Sequence, residues 1–315
     1  MKKTLMAVAV AVASMVAAPM AHAEQFITVL TGGTSGVYYP LGVALSKVYA
    51  DAIPDVRTSV QATKASVENL NLLQQGRGEV GFSLGDSVAD AWAGNEEAGF
   101  RNKLEKLRGL AAVYPNYIQI VARKDSGIAT LADLKGKRVS VGAPKSGTEL
   151  NARKVFGAAG MTYDDFGKVE YLPFAESVEL MKNRQIDATL LSAGLGVSAI
   201  RDLSSVTDIT IVSVPAEVVE KIGEPVFISE NVPAGTYNGV DQDVPTVAII
   251  NFLITHEDVP EEVVYQMTKQ MFEKKGELVS AHSAANGIDL ATAAKGMPLP
   301  LHPGAERFYK EQGAL

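Results

Sequence analysis

One pattern recurs along the chain and constrains its fold more than any other feature. A run of β-forming residues ends in a short turn of small and polar residues, and a helical run follows directly. The first such unit is "FITVL", "TGGTSG" and a helix near residues 39–51, and others start with "VRTSVQAT", "EVGFSL", "RVSVG" and "DATLL". Strands that alternate with helices in this way form parallel sheets with helices on their faces. The sequence therefore predicts an α/β fold.

Two extended stretches interrupt this pattern, at residues 114–127 ("YPNYIQIVARKDSG") and 243–258 ("DVPTVAIINFLITHED"). The second stretch is roughly twice the usual length of a strand. Because a long strand can begin in one lobe and end in another, we expect these two strands to form a hinge. We predict that residues 24–117 and 244–315 form lobe one, that residues 118–243 form lobe two, and that a ligand cleft lies between them.

The first 23 residues have the features of a secretory signal peptide. "MKK" is a positive start, "TLMAVAVAVASMVAA" is an apolar run, and "AHA" is a small-residue cleavage site. A retained membrane anchor is the alternative, but the apolar run is short for a span. We predict cleavage after Ala23 and a periplasmic location.

Composition excludes several classes of function for the remaining 292 residues. Removal of Lys2 and Lys3 changes the formal charge from −7 to −9, which disfavours binding to nucleic acid or an anionic membrane surface. The chain has no cysteine, so it has neither a disulfide nor a thiol nucleophile. Such a chain depends on its hydrophobic core for stability, and its length suits two lobes. We expect a monomer.

The turns between strands and helices are the candidate binding sites. Ligands bind beyond the carboxyl ends of parallel strands, where each helix begins with free backbone N–H groups that attract anions. Gly32, Gly33 and Gly36 let the backbone approach a ligand, although "TGGTSG" matches neither the dinucleotide nor the P-loop pattern. Residues 142–148 ("GAPKSGT") form a similar loop in the other lobe. Two such loops suggest a ligand with two polar ends, and two ordinary tight turns are the alternative.

Side chains near these turns have both structural and binding interpretations. Ser66, Asp86 and Thr148 occupy positions where N-caps belong, and Asp86 is either a cap or a partner for a ligand ammonium group. Tyr38 and Tyr39, beside the glycines, are predicted to line a pocket. Trp92 and Tyr117 are more typical of buried core. Lys145 and Arg153 are the basic residues nearest the second loop, and a solvent-facing role is the default for both.

An enzyme is the less favoured interpretation. The chain has no G-x-S-x-G motif, and His256, His282 and His302 do not have the spacing of a metal pair. His302 precedes a proline, where a structural hydrogen bond is expected. The acidic doublet at residues 164–165 fits a helix start. We therefore predict no catalytic residue, no metal and no cofactor.

Several long segments resemble one known family. "TGGTSGVYYPLGVALSKVYAD", "ATKASVENLNLL", "IVARKDSGIATLADLKGKRVSVGAPKSGTE", "VPAGTYNGVDQDVPTVAIINFLIT" and "PLHPGAERFYKEQG" closely resemble the TAXI family of TRAP transporter extracytoplasmic solute-binding proteins, also described as immunogenic proteins. The resemblance covers residues 24–315 in order. It implies a type II periplasmic-binding-protein fold whose cleft closes on a solute and then docks on TRAP transporter membrane subunits. It also implies small carboxylates such as glutamate, glutamine or 2-oxoglutarate as solutes, and transport driven by an ion gradient.

The resemblance also implies ligand-binding positions, residue by residue. The first loop contributes five of them, the next two turns contribute four, and the second lobe contributes five. Family members vary at "PFAES", and Phe174 is added because its side chain is expected to narrow the pocket. These residues are Gly33, Thr34, Gly36, Tyr38, Tyr39, Ser66, Asn69, Ser83, Asp86, Ser146, Gly147, Thr148, Phe174, Ala193 and Gly194. A periplasmic sensor that presents its closed form to a receptor is the alternative to a transport component, and an enzyme on the same fold is a further one.

Overall fold

The computed structural model describes residues 25–315. The predicted signal peptide, residues 1–23, lies outside the described residues. Within residues 25–315, the helices are too short or too polar to cross a membrane.

The first part of the chain forms three parallel strands, each followed by a helix. Strand β1 pairs with β2 on one side and with β3 on the other, both in parallel. The side chains of β2 alternate between half-buried and exposed. The elements are β1 (Gln25–Leu30), α1 (Tyr38–Ala52), β2 (Val56–Gln61), α2 (Ser66–Gln74), β3 (Val80–Leu84) and α3 (Gly85–Ala93).

The middle of the chain begins with a long strand, β4 (Leu107–Arg123), of 17 residues. Strands β5, β6 and β7 are parallel to one another, and β7 and β8 pair antiparallel with the second part of β4. The following elements are β5 (Arg138–Ser140), α4 (Gly147–Ala158), β6 (Lys168–Glu170), α5 (Phe174–Lys182), β7 (Ala188–Ala193), α6 (Ser198–Val206), β8 (Ile209–Val212), α7 (Ala216–Ile222) and β9 (Phe227–Val232).

A second long strand, β10 (Val244–His256), runs antiparallel to β4 along most of its length. Its first part pairs with β9, and residues 251–254 pair with β3. The sheet order is β2-β1-β3-β10-β4-β7-β5-β6. The two long strands therefore join a first half of the sheet, β1–β3, to a second half, β5–β9. The prediction placed the start of the first long strand at residue 114, whereas β4 begins at Leu107, because its first residues pair with the end of β10.

The C-terminal residues return to the first half. Helices α8 (Glu261–Glu273), α9 (Lys275–Ala281) and α10 (Pro303–Glu311) pack near α1 and β4. One hydrophobic cluster fills the second half, one lies under α2 and α3, and a third contains residues of both halves, such as Tyr49 and Leu191. The division into two lobes that move about a hinge stays a prediction.

The three predicted N-caps are wrong. Helix α2 has Ala65 as its N-cap and α3 has Leu84, so Ser66 and Asp86 lie inside the first turns. The hydroxyl of Ser66 instead accepts a hydrogen bond from the backbone N–H of Leu84 at 3.2 Å. The N-cap of α4 is Ser146, two residues before Thr148, and its hydroxyl accepts from the N–H of Glu149 at 3.2 Å.

Candidate functional site

A cavity of about 140 Å³ lies where the two halves of the sheet meet. Its wall contains the residues around the starts of α1, α2, α4 and α5, together with the ends of β3 and β7. Nine of the fifteen predicted site residues line it: Gly33, Gly36, Tyr38, Ser66, Ser146, Gly147, Thr148, Phe174 and Ala193. Whether they bind a ligand stays a prediction.

The starts of α2 and α4 touch each other across the two halves. A Cβ atom placed on Gly147 would lie 2.6 Å from Ser66 Oγ and 2.6 Å from Leu84 Cδ1. Gly147 therefore lets the second half approach the first closely. As a result, the free N–H groups of two helix starts point towards one region of the cavity wall.

The hydroxyl groups in this region differ in how far they are engaged. The Ser66 hydroxyl accepts from the backbone N–H of Leu84 at 3.2 Å and is also hydrogen-bonded to the Tyr38 phenol, so it is already engaged. Thr148 is 6% exposed, and within residues 25–315 its hydroxyl has no hydrogen-bond partner. Its methyl group faces Gly142, since a Cβ there would lie 2.7 Å from Thr148 Cγ2. The Ser146 hydroxyl is already engaged, because it donates to the Ala143 carbonyl at 2.7 Å.

The described part of the cavity wall has one positively charged side chain and no negatively charged one. Among the described residues that line the cavity, the ionisable side chains are Tyr38, Lys64 and Tyr114. Lys64 is exposed at the mouth, and within residues 25–315 its ammonium group makes no ion pair. Burial raises the pKa of Tyr38 and that of Tyr114, so both phenols are neutral at physiological pH. This electrostatic environment suits an anion.

A chain of hydrogen bonds runs beneath the cavity through both long strands. The Tyr38 hydroxyl donates to Asn251 Oδ1 at 2.5 Å, and Asn251 Nδ2 donates to Asn116 Oδ1 at 2.7 Å. Asn116 Nδ2 then donates to the backbone carbonyl of Ser192 at 2.9 Å. Three of these residues, Tyr38, Asn116 and Ser192, also line the cavity. A ligand there would contact a network that spans α1, β10, β4 and β7.

The same chain continues to a buried carboxylate. The Ser192 hydroxyl donates to Asn151 Oδ1 at 2.8 Å, and Asn151 Nδ2 donates to Asp86 Oδ2 at 2.8 Å. Lys154 lies 3.5 Å from the same oxygen, while Asp86 Oδ1 has no hydrogen-bond partner among the described residues. Burial raises the pKa of Asp86 to about 6, against the opposing effect of Lys154. Asp86 thus joins α3 of the first half to α4 of the second.

Six predicted site residues lie away from the cavity wall, for identifiable reasons. Adjacent residues of a helix point about 100° apart, and Tyr38 stacks on Phe82 with ring centroids 4.9 Å apart, so Tyr39 faces away. Asn69 is buried and donates to the carbonyls of Thr31 and Phe82. The others are Thr34, which is exposed, Ser83, which is buried within β3, Asp86, and Gly194, which packs beside Tyr114.

Sequence reasoning missed part of the wall. Asn116 and Ser192 are polar residues within buried strands, and that contrast was the available signal. Lys64 lies two residues before Ser66, in the turn into α2, whereas the basic residues considered were Lys145 and Arg153 near the second loop. Gly32, whose backbone was expected to approach a ligand, and Tyr114, one of the aromatic residues near the turns, also line the cavity. The remaining missed residues are Val37, Thr63, Ala65, Leu84, Ala143 and Pro173.

The basic and histidine side chains outside the cavity have structural surroundings. Lys145 is exposed, and Arg153 pairs with Glu149 at 2.7 Å. His302 Nδ1 accepts from the N–H of Gly304 at 3.2 Å, which confirms the expected structural hydrogen bond. Within the described part of the chain, no group of histidines and carboxylates is arranged to hold a metal ion.

Comparisons with known proteins agree with this architecture. The model of the NMT1-like family matches residues 29–313. Among solved structures, PhnD1 from Prochlorococcus marinus in complex with methylphosphonate has a TM-score of 0.60 at 11% identity, covering 93% of this chain and 100% of that one. The alkanesulfonate-binding protein SsuA from Xanthomonas axonopodis pv. citri, bound to MOPS, has a TM-score of 0.51 at 14% identity, covering 92% and 85%. At these identities the similarity shows the fold alone, and it confirms the predicted α/β periplasmic-binding-protein fold.

Proposed function

Because this chain belongs to the NMT1-like family and has a periplasmic-binding-protein fold, we propose that it is a periplasmic solute-binding protein. It captures a small carboxylate in the cavity between the two halves and delivers it to membrane subunits of a TRAP transporter. The resemblance of the sequence to the TAXI family supports the transporter class. In this proposal the protein catalyses no reaction.

One observation carries the proposal: helix starts from both halves of the sheet meet at the cavity wall. Free N–H groups and the helix dipole favour an anionic oxygen there, and the unpartnered hydroxyl of Thr148 adds to them. A carboxylate suits this arrangement because its two oxygens accept several hydrogen bonds at once.

The size of the cavity supports a small solute. A volume of about 140 Å³ corresponds to roughly ten water-sized positions, if each takes about 10–15 Å³. A ligand of on the order of ten non-hydrogen atoms therefore fits, which is the size range of glutamate, glutamine and 2-oxoglutarate.

Closure of the two halves is the proposed mechanism. Contacts between the halves occur on two sides of the cavity: the Ser198 hydroxyl donates to the Ser35 carbonyl at 2.8 Å, and Asn151 donates to Asp86. A solute that contacts both helix starts stabilises this closed arrangement, because an open form would offer it only one of them. The closed surface would then be recognised by the membrane subunits.

A thermal-shift panel on residues 24–315, refolded to remove any carried ligand, tests the proposal. The panel holds glutamate, glutamine, 2-oxoglutarate, dicarboxylates, methylphosphonate, alkanesulfonates and sugars. At a hundred times its Kd a true ligand adds about 2.7 kcal/mol, or on the order of 5 °C. We expect a carboxylate to give this shift while sugars give none. A shift with phosphonate or sulfonate alone would reject the carboxylate.

Delivery needs a separate test, since a sensor would bind the same solute. A sodium gradient is imposed across the membrane of vesicles that contain candidate TRAP membrane subunits. Uptake of the labelled solute is then measured with and without this protein. Uptake that requires the protein and the gradient supports transport. Solute binding without any uptake in this assay would favour the sensor.

A further inference from the structure

One part of the cavity wall is polar and another is mainly apolar, and this difference bears on which carboxylate binds. Its polar part consists of Lys64, Ser66, Gly147 and Thr148, where α2 and α4 begin. Its aromatic part, named after Tyr114 and Phe174, also contains Val37 and Ala193. A Cβ on Gly194 would lie 3.2 Å from Tyr114 Cε2 and 3.4 Å from Val37 Cγ2, so this part is closely packed.

The polar part is suited to one anionic group. Thr148 is nine-tenths buried and lines the cavity, yet within residues 25–315 its hydroxyl has no partner. Because this oxygen is not among the buried unpartnered atoms, it is accessible from the cavity and can donate to a ligand. Together with the first N–H groups of α2 and α4, it forms one cluster of donors rather than two clusters at opposite ends.

The rest of the wall does not suit a second charge. In the described part of the chain, the residues that line the cavity include no aspartate and no glutamate, so a ligand ammonium group would have no carboxylate partner. Asp86, the candidate partner, is bonded to Asn151 and lies outside the wall. The donor side chain on the aromatic part is the Tyr114 hydroxyl, which has no hydrogen-bond partner among the described residues, and no cation lies there. A second carboxylate on this part would therefore be desolvated with one neutral donor and no opposite charge, which is unfavourable.

We infer that the ligand carries one anionic group, held where α2 and α4 begin, no cationic group, and an uncharged, mostly apolar remainder that lies against Tyr114 and Phe174. This inference rests on the proposed function, because it chooses among the small carboxylates. It favours a branched or aliphatic 2-oxo acid or fatty acid over amino acids and dicarboxylates.

Three probes of similar size separate these chemistries in calorimetric titrations of the refolded protein. 4-Methyl-2-oxopentanoate has one carboxylate and an apolar tail, 2-oxoglutarate has the same head with a second carboxylate, and leucine has the same tail with an ammonium group. We expect 4-methyl-2-oxopentanoate to bind at least about tenfold more tightly than the other two.

Matched variants test each part of the wall. Thr148→Val removes the hydroxyl and keeps the shape, and we expect about tenfold weaker binding of 4-methyl-2-oxopentanoate, whereas Thr148→Ser restores it. Lys64→Met should weaken binding about threefold, while Lys145→Met, which removes an exposed lysine outside the cavity wall, should not. Phe174→Ala should weaken binding of 4-methyl-2-oxopentanoate and leave that of 2-oxoglutarate nearly unchanged.

The outcomes distinguish this inference from the proposed function. Tighter binding of 2-oxoglutarate or leucine than of 4-methyl-2-oxopentanoate would overturn the inference and leave the carboxylate-binding function standing. Equal effects of Thr148→Val and Thr148→Ser would also overturn it. If none of the three probes nor any other carboxylate binds, the proposed function fails and the inference fails with it.

Discussion

Two carboxylates, the buried Asp86 and the half-buried Asp187, have opposite surroundings. Asp187 accepts from the backbone N–H of Arg138 at 3.0 Å and from its guanidinium at 3.0 and 2.6 Å, and Arg123 lies 3.4 Å away. These bonds, above all those from Arg138, hold the pKa of Asp187 at about 2. Asp86 has one amide donor and a more distant lysine, and burial raises its pKa to about 6.

The difference follows from which strands and helices carry the hydrogen-bond and ion-pair partners of each carboxylate. The partners of Asp187 belong to β4 and β5, so they are fixed within one half of the sheet. Asn151 and Lys154, the partners of Asp86, lie on α4, across the boundary between the halves. A fully bonded carboxylate stabilises the fold, whereas an incompletely bonded one is sensitive to how closely the halves approach. Substituting each residue separates these two roles.

The largest effect is expected from Asp187→Asn. It leaves the buried Arg123 and the half-buried Arg138 without their shared carboxylate, so the free energy of unfolding at pH 7 should fall by about 2–3 kcal/mol. Because the folded pKa of Asp187 lies below the ordinary value, its contribution is present above pH 4 and is lost as pH falls towards 2. Urea denaturation should therefore show a deficit about 1 kcal/mol smaller at pH 3 than at pH 7. An equal loss in Asp164→Asn, an exposed control, would contradict this.

Asp86→Asn should have the opposite pH dependence. The folded pKa of Asp86 is raised, so its contribution is greatest below pH 4 and is lost as pH rises through about 6. The stability of the wild type relative to the variant should therefore increase by on the order of 2 kcal/mol as pH falls from 7 to 4. Denaturation curves at pH 4, 5, 6 and 7 measure this difference. A difference that is constant with pH would show that Asp86 titrates normally.

Ligand binding should depend on Asp86 and not on Asp187. Asp86→Ala removes a contact between the halves without touching the cavity wall, so it should weaken carboxylate binding about fivefold, or roughly 1 kcal/mol. Asp187→Asn should bind with wild-type affinity at a temperature where it is folded. Equal losses in calorimetric titrations of both variants would indicate a general effect of destabilisation.

The smallest effect is expected from salt. The donors at the cavity are mainly helix N–H groups and hydroxyls in a water-poor site, and Lys64 is one exposed charge. Affinity for a carboxylate should therefore change by less than about threefold between 50 and 500 mM NaCl. A steep decrease would indicate that surface charges dominate binding.

The sequence predicted the repeating units and the two long strands because their patterns are local. Apolar runs, small-residue turns and helical periods can each be identified within about ten residues. The start of β4 was missed because Gly109 disfavours a central strand, and the pairing with β10 overrides this preference.

The site was less predictable because hydrogen bonding between distant residues decides it. Ser66 was expected to cap α2, but its hydroxyl accepts from Leu84 in the neighbouring strand. Asn116 and Ser192 come together only because β4 and β7 are adjacent in the sheet. No local pattern reveals such pairings, whereas Tyr38 and Gly147 stood beside recognisable helix starts.

The central claim is that a carboxylate binds where α2 and α4 begin, and Gly147 tests it most directly. Gly147→Ala places a methyl group 2.6 Å from Ser66 Oγ, whereas Gly157→Ala, on the same helix, enters open space. Calorimetric titration of a carboxylate that binds the wild type is the measurement. We predict that Gly147→Ala loses at least about tenfold in affinity and that Gly157→Ala binds as the wild type does. Unchanged binding in Gly147→Ala would contradict the account.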